Sequence, residues 1–144
     1  MSTKQDIERY FNNRQKEIDG AALYRVLAQT EAQPQMKEIY TRLSASEEKH
    51  AALWEKKLGE LKVNIPPRVP SWRAKVMIWL ARRFGPQFIL PTITGNENAD
   101  SQAYDGQPEA EALMFAKDEK SHARLLSMAS KSPAGLPGAS VAQL

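Results

Sequence analysis

Apolar residues recur at three- and four-residue intervals along most of the chain, and these runs predict helices. The first runs from about Lys4 to Thr30, with Tyr10, Glu17, Ala21, Tyr24 and Ala28 along one stripe. The second runs from about Gln35 to Leu61, where Met36, Leu43, Glu47, His50, Trp54 and Leu58 share a face. The segment Glu31-Ala32-Gln33-Pro34 separates them, and so short a link implies antiparallel neighbours. A third helix is predicted from Pro86 to Tyr104, with Leu90, Glu97, Ser101 and Tyr104 on one side. A fourth is predicted from Pro108 to Ala129, striped by Phe115, Glu119, His122 and Leu126.

Residues 61–69 contain Pro66 and Pro67 and predict an extended linker. Ser71 to Phe84 then carries Trp72, Val76, Trp79 and Leu80 at helical spacing, an extra helix within a long crossover. The expected packing of this helix is through Trp72, Val76 and Trp79, with its charges in water. The tail, 131–144, has prolines and glycines without periodicity and is expected to be flexible. The fold class is therefore all-α: a four-helix bundle over residues 1–130, with the long crossover between helices two and three that characterises ferritin-like connectivity.

Composition narrows the chemistry. The 144 residues include no cysteine and two histidines. Disulfides, thiolate zinc sites, cysteine nucleophiles and Cys-ligated iron–sulfur centres are excluded. Any metal site must lean on carboxylates. No apolar run follows the opening residues 1–6, so a secretory signal is not expected there, and Arg82, Arg83, Gly85, Pro86 and Pro91 interrupt the most apolar stretch. The net charge of +3 is too mild to indicate nucleic acid. It is unevenly placed, since residues 61–96 hold Lys62, Arg68, Arg73, Lys75, Arg82 and Arg83 and no acid.

Both histidines lie in the same motif. Glu47 precedes His50 by three residues, and Glu119 precedes His122 by three. Residues i and i+3 are neighbours on a helix, so each carboxylate and imidazole can converge on one ion. The other two helices share a different spacing: Glu17 lies seven residues before Tyr24, and Glu97 seven before Tyr104. The four helices thus offer Glu, Glu-x-x-His, Glu and Glu-x-x-His, the ligand set of di-iron and di-manganese bundles. The candidate ligands are Glu17, Glu47, His50, Glu97, Glu119 and His122. Tyr24 and Tyr104 read either as core aromatics or as hydrogen-bond donors that orient a ligand carboxylate.

Competing readings are local. Ser44 and Glu47 match a capping box, but a helix start there would cut the stripe from Met36 to Leu58. Glu48 and Asp118 are rotated about 100° from their neighbours on the helix, although Asp118 approaches the site edge. Glu111 lies about 16 Å along the axis from His122 and serves no common site. Asp19, Glu31, Glu38 and Glu55 read as solvated. Carboxylates with imidazoles suit Fe(II) or Mn(II). Two iron ions are the expected cofactor, with Mn as the alternative and Zn able to substitute.

Four segments also carry a family resemblance. Glu17-Ile-Asp-Gly-Ala-Ala-Leu-Tyr24, Glu47-Glu-Lys-His50-Ala-Ala-Leu-Trp54, Arg82-Arg-Phe-Gly-Pro86 and Asp118-Glu-Lys-Ser-His122-Ala-Arg-Leu-Leu126 are similar to the rubrerythrin-type ferritin-like domain of membrane-bound ferritins. In that family the domain precedes a vacuolar-iron-transporter-type membrane domain. The resemblance covers about residues 5–130, and the ending Gly138-Ala-Ser-Val-Ala-Gln-Leu144 looks like the segment before the membrane domain. It implies a homodimer, a C-terminal transporter domain in a longer protein, and a place at the cytoplasmic face of the inner membrane. It also implies that Glu17 and Glu97 each ligate one ion, that Glu47 and Glu119 bridge, and that His50 and His122 complete the two shells. The activity so implied is binding of Fe(II), with its oxidation or sensing, for an iron exporter. A standalone rubrerythrin-like peroxidase or oxidase and a metal-stabilised dimerisation module are the alternatives. The basic crossover adds an anionic membrane surface as a possible contact.

Overall fold

A computed structural model describes residues 3–93 together with Gly95, Ser121, His122 and Arg124. All regular structure among the described residues is helical. Helix α1 spans Thr3–Thr30, α2 spans Pro34–Glu60 and α3 spans Trp72–Phe84, followed by a single 3-10 turn at Pro86–Phe88. These bounds lie within a residue or two of those predicted for the first two helices and the crossover helix. The chain is helical again at Leu90, so the third predicted helix begins after the turn rather than at Pro86. Ser121, His122 and Arg124 are helical as well. The rest of the predicted third and fourth helices, with Glu97, Tyr104, Asp118 and Glu119, lies outside the described residues, as does the 131–144 tail.

The break between α1 and α2 is built by Glu31. Its carboxylate accepts the N–H groups of Ala32 and Gln33, at 3.1 Å each. Glu31 is therefore buried, not solvated, because it supplies acceptors where helical bonding stops. Pro34 then opens α2, where its missing N–H costs nothing. The two helices run antiparallel: Tyr10 stacks on Trp54 near one end, and Lys37 donates to the Ala28 carbonyl near the other. Ser44 lies inside α2, and its hydroxyl donates to the Ala21 carbonyl across the interface at 2.9 Å. The capping-box reading of Ser44 is thereby excluded.

Two apolar clusters divide this helix pair. One, toward the α1–α2 turn, gathers Leu23, Tyr24, Leu27, Met36, Ile39, Tyr40 and Leu43. The other joins Tyr10, Trp54 and Leu58. The crossover connects the two ends. Ile65 packs on the second cluster, whereas Ala81, Ile89, Leu90 and Ile93 belong to the first. The chain leaving α2 thus travels back along the pair through an extended segment and α3.

Polar contacts pin the crossover. Buried Arg14 donates to Glu55 and to the Pro66 carbonyl, both at 2.8 Å. Arg68 binds the same carboxylate through two nitrogens. Asp19 accepts from the Ser71 N–H at 2.8 Å and from its hydroxyl at 2.6 Å, fixing the N-cap of α3. Asp19 and Glu55 are therefore structural anchors rather than solvated charges. Glu38 remains exposed and pairs with Arg42 one turn along. Gly85 ends α3 at a φ of 97°, a backbone region that side chains disfavour.

The packing face of α3 differs from expectation. Ala74 and Ala81 are its buried residues, and Met77, Ile78 and Leu80 pack partly against the first cluster. Trp72, Val76 and Trp79 point outward, with Trp72 71% exposed. Alanines let the helix axis approach its neighbours closely, which the tryptophan face could not. No described helix is long and apolar enough to cross a membrane.

Candidate metal centre

Between the two apolar clusters lies a polar layer. Helix α1 contributes Glu17, seven residues beyond Tyr10 and seven before Tyr24. Helix α2 contributes Glu47 and His50, between Leu43 and Trp54. Each polar residue holds the same helical register as the apolar residues around it. The stripe that buries tyrosine and tryptophan therefore buries these side chains too. Glu17 is 2% exposed, and Glu47 and His50 are 3% each.

One ligating atom from each of Glu17, Glu47 and His50 can be chosen so that all lie within 4.8 Å of one another. Nδ1 of His50 is 3.4 Å from Oε2 of Glu17 and 4.0 Å from Oε2 of Glu47. His122 enters from far along the sequence, with its Nδ1 3.2 Å from Oε1 of Glu47. The imidazoles of His50 and His122 lie nearly parallel, 6.3 Å between centroids. Glu47 thus stands between the two histidines and presents a different oxygen to each.

The structure brings together four of the six predicted ligands: Glu17, Glu47, His50 and His122. Glu97 and Glu119 fall outside the described residues. Tyr24 is fully buried in the apolar cluster nearer the turn, and Tyr104 is not among the described residues. Glu48 points away from the centre and pairs with Arg25 on the surface, as its rotation on α2 requires.

One residue of this site escaped the sequence reading. A Cβ added to Gly20 would lie 3.3 Å from Cδ of Glu47 and 3.4 Å from its Oε2. Gly20 therefore gives the Glu47 carboxylate its space against α1. A mid-helix glycine costs about 1 kcal/mol relative to alanine. That cost, three residues after Glu17 on the same stripe, was the available signal.

The donor set fits a metal ion. Two buried carboxylates and two imidazoles supply hard-to-borderline donors suited to Fe(II) or Mn(II). Burying two carboxylates in one layer is costly, and a cation held there would offset that cost. Comparison with protein-family models, curated proteins and solved structures finds no match to this chain. What the fold and the site define is a protein whose described residues are all-helical in their regular structure, with a buried Glu/His cluster able to hold a metal ion.

Proposed function

We propose that this chain is a ferritin-like domain that binds a pair of iron ions at this polar layer and serves in Fe(II) oxidation or sensing. The carrying observation is the position of Glu47, whose two oxygens face His122 and His50 separately. A carboxylate so placed is suited to bridge two ions, each completed by one histidine. Glu17 would serve the ion on the His50 side. By register, Glu97 and Glu119 would complete the opposite half. The long return of the crossover supports ferritin-like connectivity.

When bound, such ions would supply one-electron redox chemistry toward O2 or peroxide. The chain's own contribution is distinct. Glu17 and Glu47 supply carboxylate oxygens in a layer between two apolar clusters. The Tyr10–Trp54–Leu58 cluster closes one side of the layer to water, and the Tyr24–Leu43 cluster closes the other. Gly20 lets the Glu47 carboxylate lie close against α1. In its wider setting, the proposed role is to serve a membrane iron exporter as one domain of a longer, dimeric protein.

Anaerobic titration with Fe(II), followed by calorimetry, tests the binding step. Saturation at two ions per chain is expected. Saturation at one would overturn the dinuclear reading, and absence of binding would overturn the metal reading. Admitting O2 to the loaded protein should then produce ferric absorbance faster than in a Glu47→Gln control.

A further inference from the structure

The outer face of α3 has the chemistry of an interfacial helix. Trp72, Val76, Trp79 and Arg83 follow one another at intervals of four, three and four residues. At about 100° per residue they form one narrow stripe, opposite buried Ala74 and Ala81. Trp72 is 71% exposed, Val76 48% and Trp79 60%. The apolar surface continues beyond the helix: Phe84 lies edge-on to Trp79 at 6.2 Å, and exposed Phe88 lies 5.2 Å from Phe84.

Cations lie in and beside this stripe. Arg73, Lys75, Arg82 and Arg83 are all exposed. Arg73 lies over the Trp72 ring and Arg83 over the Phe84 ring. Among the described residues, no carboxylate forms an ion pair with any of these four cations. The nearest acids in sequence are Glu60 and Glu97, well outside the helix.

We infer that α3 docks this face onto an anionic lipid surface, with the aromatic rings entering the headgroup boundary and the four cations meeting lipid phosphates. Charge complementarity selects this occupant. A two-fold contact with a second copy through the same face would oppose four cations to four cations. A neutral apolar partner would leave those cations desolvated and unpaired. Tryptophan with Lys/Arg matches a membrane interface in both polarity and depth. The helix lies on the membrane and does not span it, since it has only 13 residues.

The chain's three tryptophans provide the test. Trp54 is fully buried, whereas Trp72 and Trp79 are exposed, so a change in emission on docking reports α3. The intact chain is mixed with vesicles of phosphatidylcholine alone or with added phosphatidylglycerol, and emission and co-sedimentation are measured. A blue shift and co-sedimentation with the anionic vesicles only are expected. Both should be lost at about 1 M salt, where the Debye length is about 3 Å. Arg82→Gln with Arg83→Gln should weaken partitioning about thirtyfold. In Trp72→Phe with Trp79→Phe, the remaining Trp54 emission should not respond to vesicles. No response to anionic vesicles would overturn the inference, as would an equal response to neutral ones. A vesicle-independent blue shift that grows with protein concentration would assign the face to a second copy instead.

Discussion

The polar layer and the outer face of α3 each invert the usual distribution of residues. The layer places Glu17, Glu47, His50 and His122 inside. The α3 face places Trp72, Val76, Trp79 and Phe84 outside. The inversions differ in what surrounds them. The buried charges converge on one another, so a small cation in their midst would satisfy several at once. The exposed rings spread along a helix more than one turn long, beside cations that no carboxylate among the described residues pairs with. A compact donor cluster suits an ion, and an extended amphipathic strip suits a surface.

The largest expected effect breaks the first half of this comparison. Glu47→Gln keeps the side chain's size against Gly20 but removes its charge. Metal affinity should fall at least about 100-fold, because Glu47 faces both histidines. The metal-free protein should become more stable, by about 1 kcal/mol or more, because Glu17 and Glu47 place like charges in one buried layer and the change removes one of them. At a free ion concentration of 100 times the wild-type Kd, metal should stabilise the wild-type chain by about 2.7 kcal/mol and the variant by no more than about 0.4 kcal/mol. Urea denaturation with and without metal measures all three. A variant less stable without metal, and equally stabilised by it, would show that the layer is only a structural polar network.

The two regions were not equally legible in the sequence. In α1 and α2 the stripes contain large apolar residues with the carboxylates in register, so one period locates both core and site. In α3 the same rule selects the wrong face. Its largest apolar residues define a stripe, but burial follows Ala74 and Ala81, whose size permits close helix approach. Periodicity shows that a face exists without showing which neighbour it meets. Asp19, Glu31 and Glu55 depart from the solvated expectation for a related reason. Their partners are backbone groups at helix ends and residues of the crossover, which helical spacing does not reveal. His122 was legible because its motif repeats that of His50.

A smaller effect should separate the two faces of α3. Ala81 is 1% exposed within the apolar cluster, so Ala81→Leu overfills it and should cost about 1–3 kcal/mol. Trp79→Ala removes a much larger side chain from the opposite face and should change stability by no more than about 0.5 kcal/mol. The smaller residue should therefore carry the larger penalty. Denaturant midpoints of the two variants check the order. The reverse order would show that the tryptophan face is covered within the folded chain.

The smallest effect concerns the joint between the regions. Hydrogen bonds from Arg68, and secondarily from Arg14, lower the Glu55 carboxyl from its ordinary 4.5 to about 2, with the charges of both guanidiniums adding to this against partial burial. A depressed folded value means that the stabilisation is complete above the unfolded value and disappears as pH falls through the folded one. The joint should therefore weaken progressively from about pH 4.5 towards pH 2. Glu55→Gln removes this titration. The stability difference between wild type and variant should be largest near neutrality and should narrow below about pH 4.5. Arg68 remains partly open to water, which screens the pair and keeps the difference modest. If the difference stayed constant across that range, the hold of α2 on the crossover would come from the packing of Ile65 rather than from this ionic clamp.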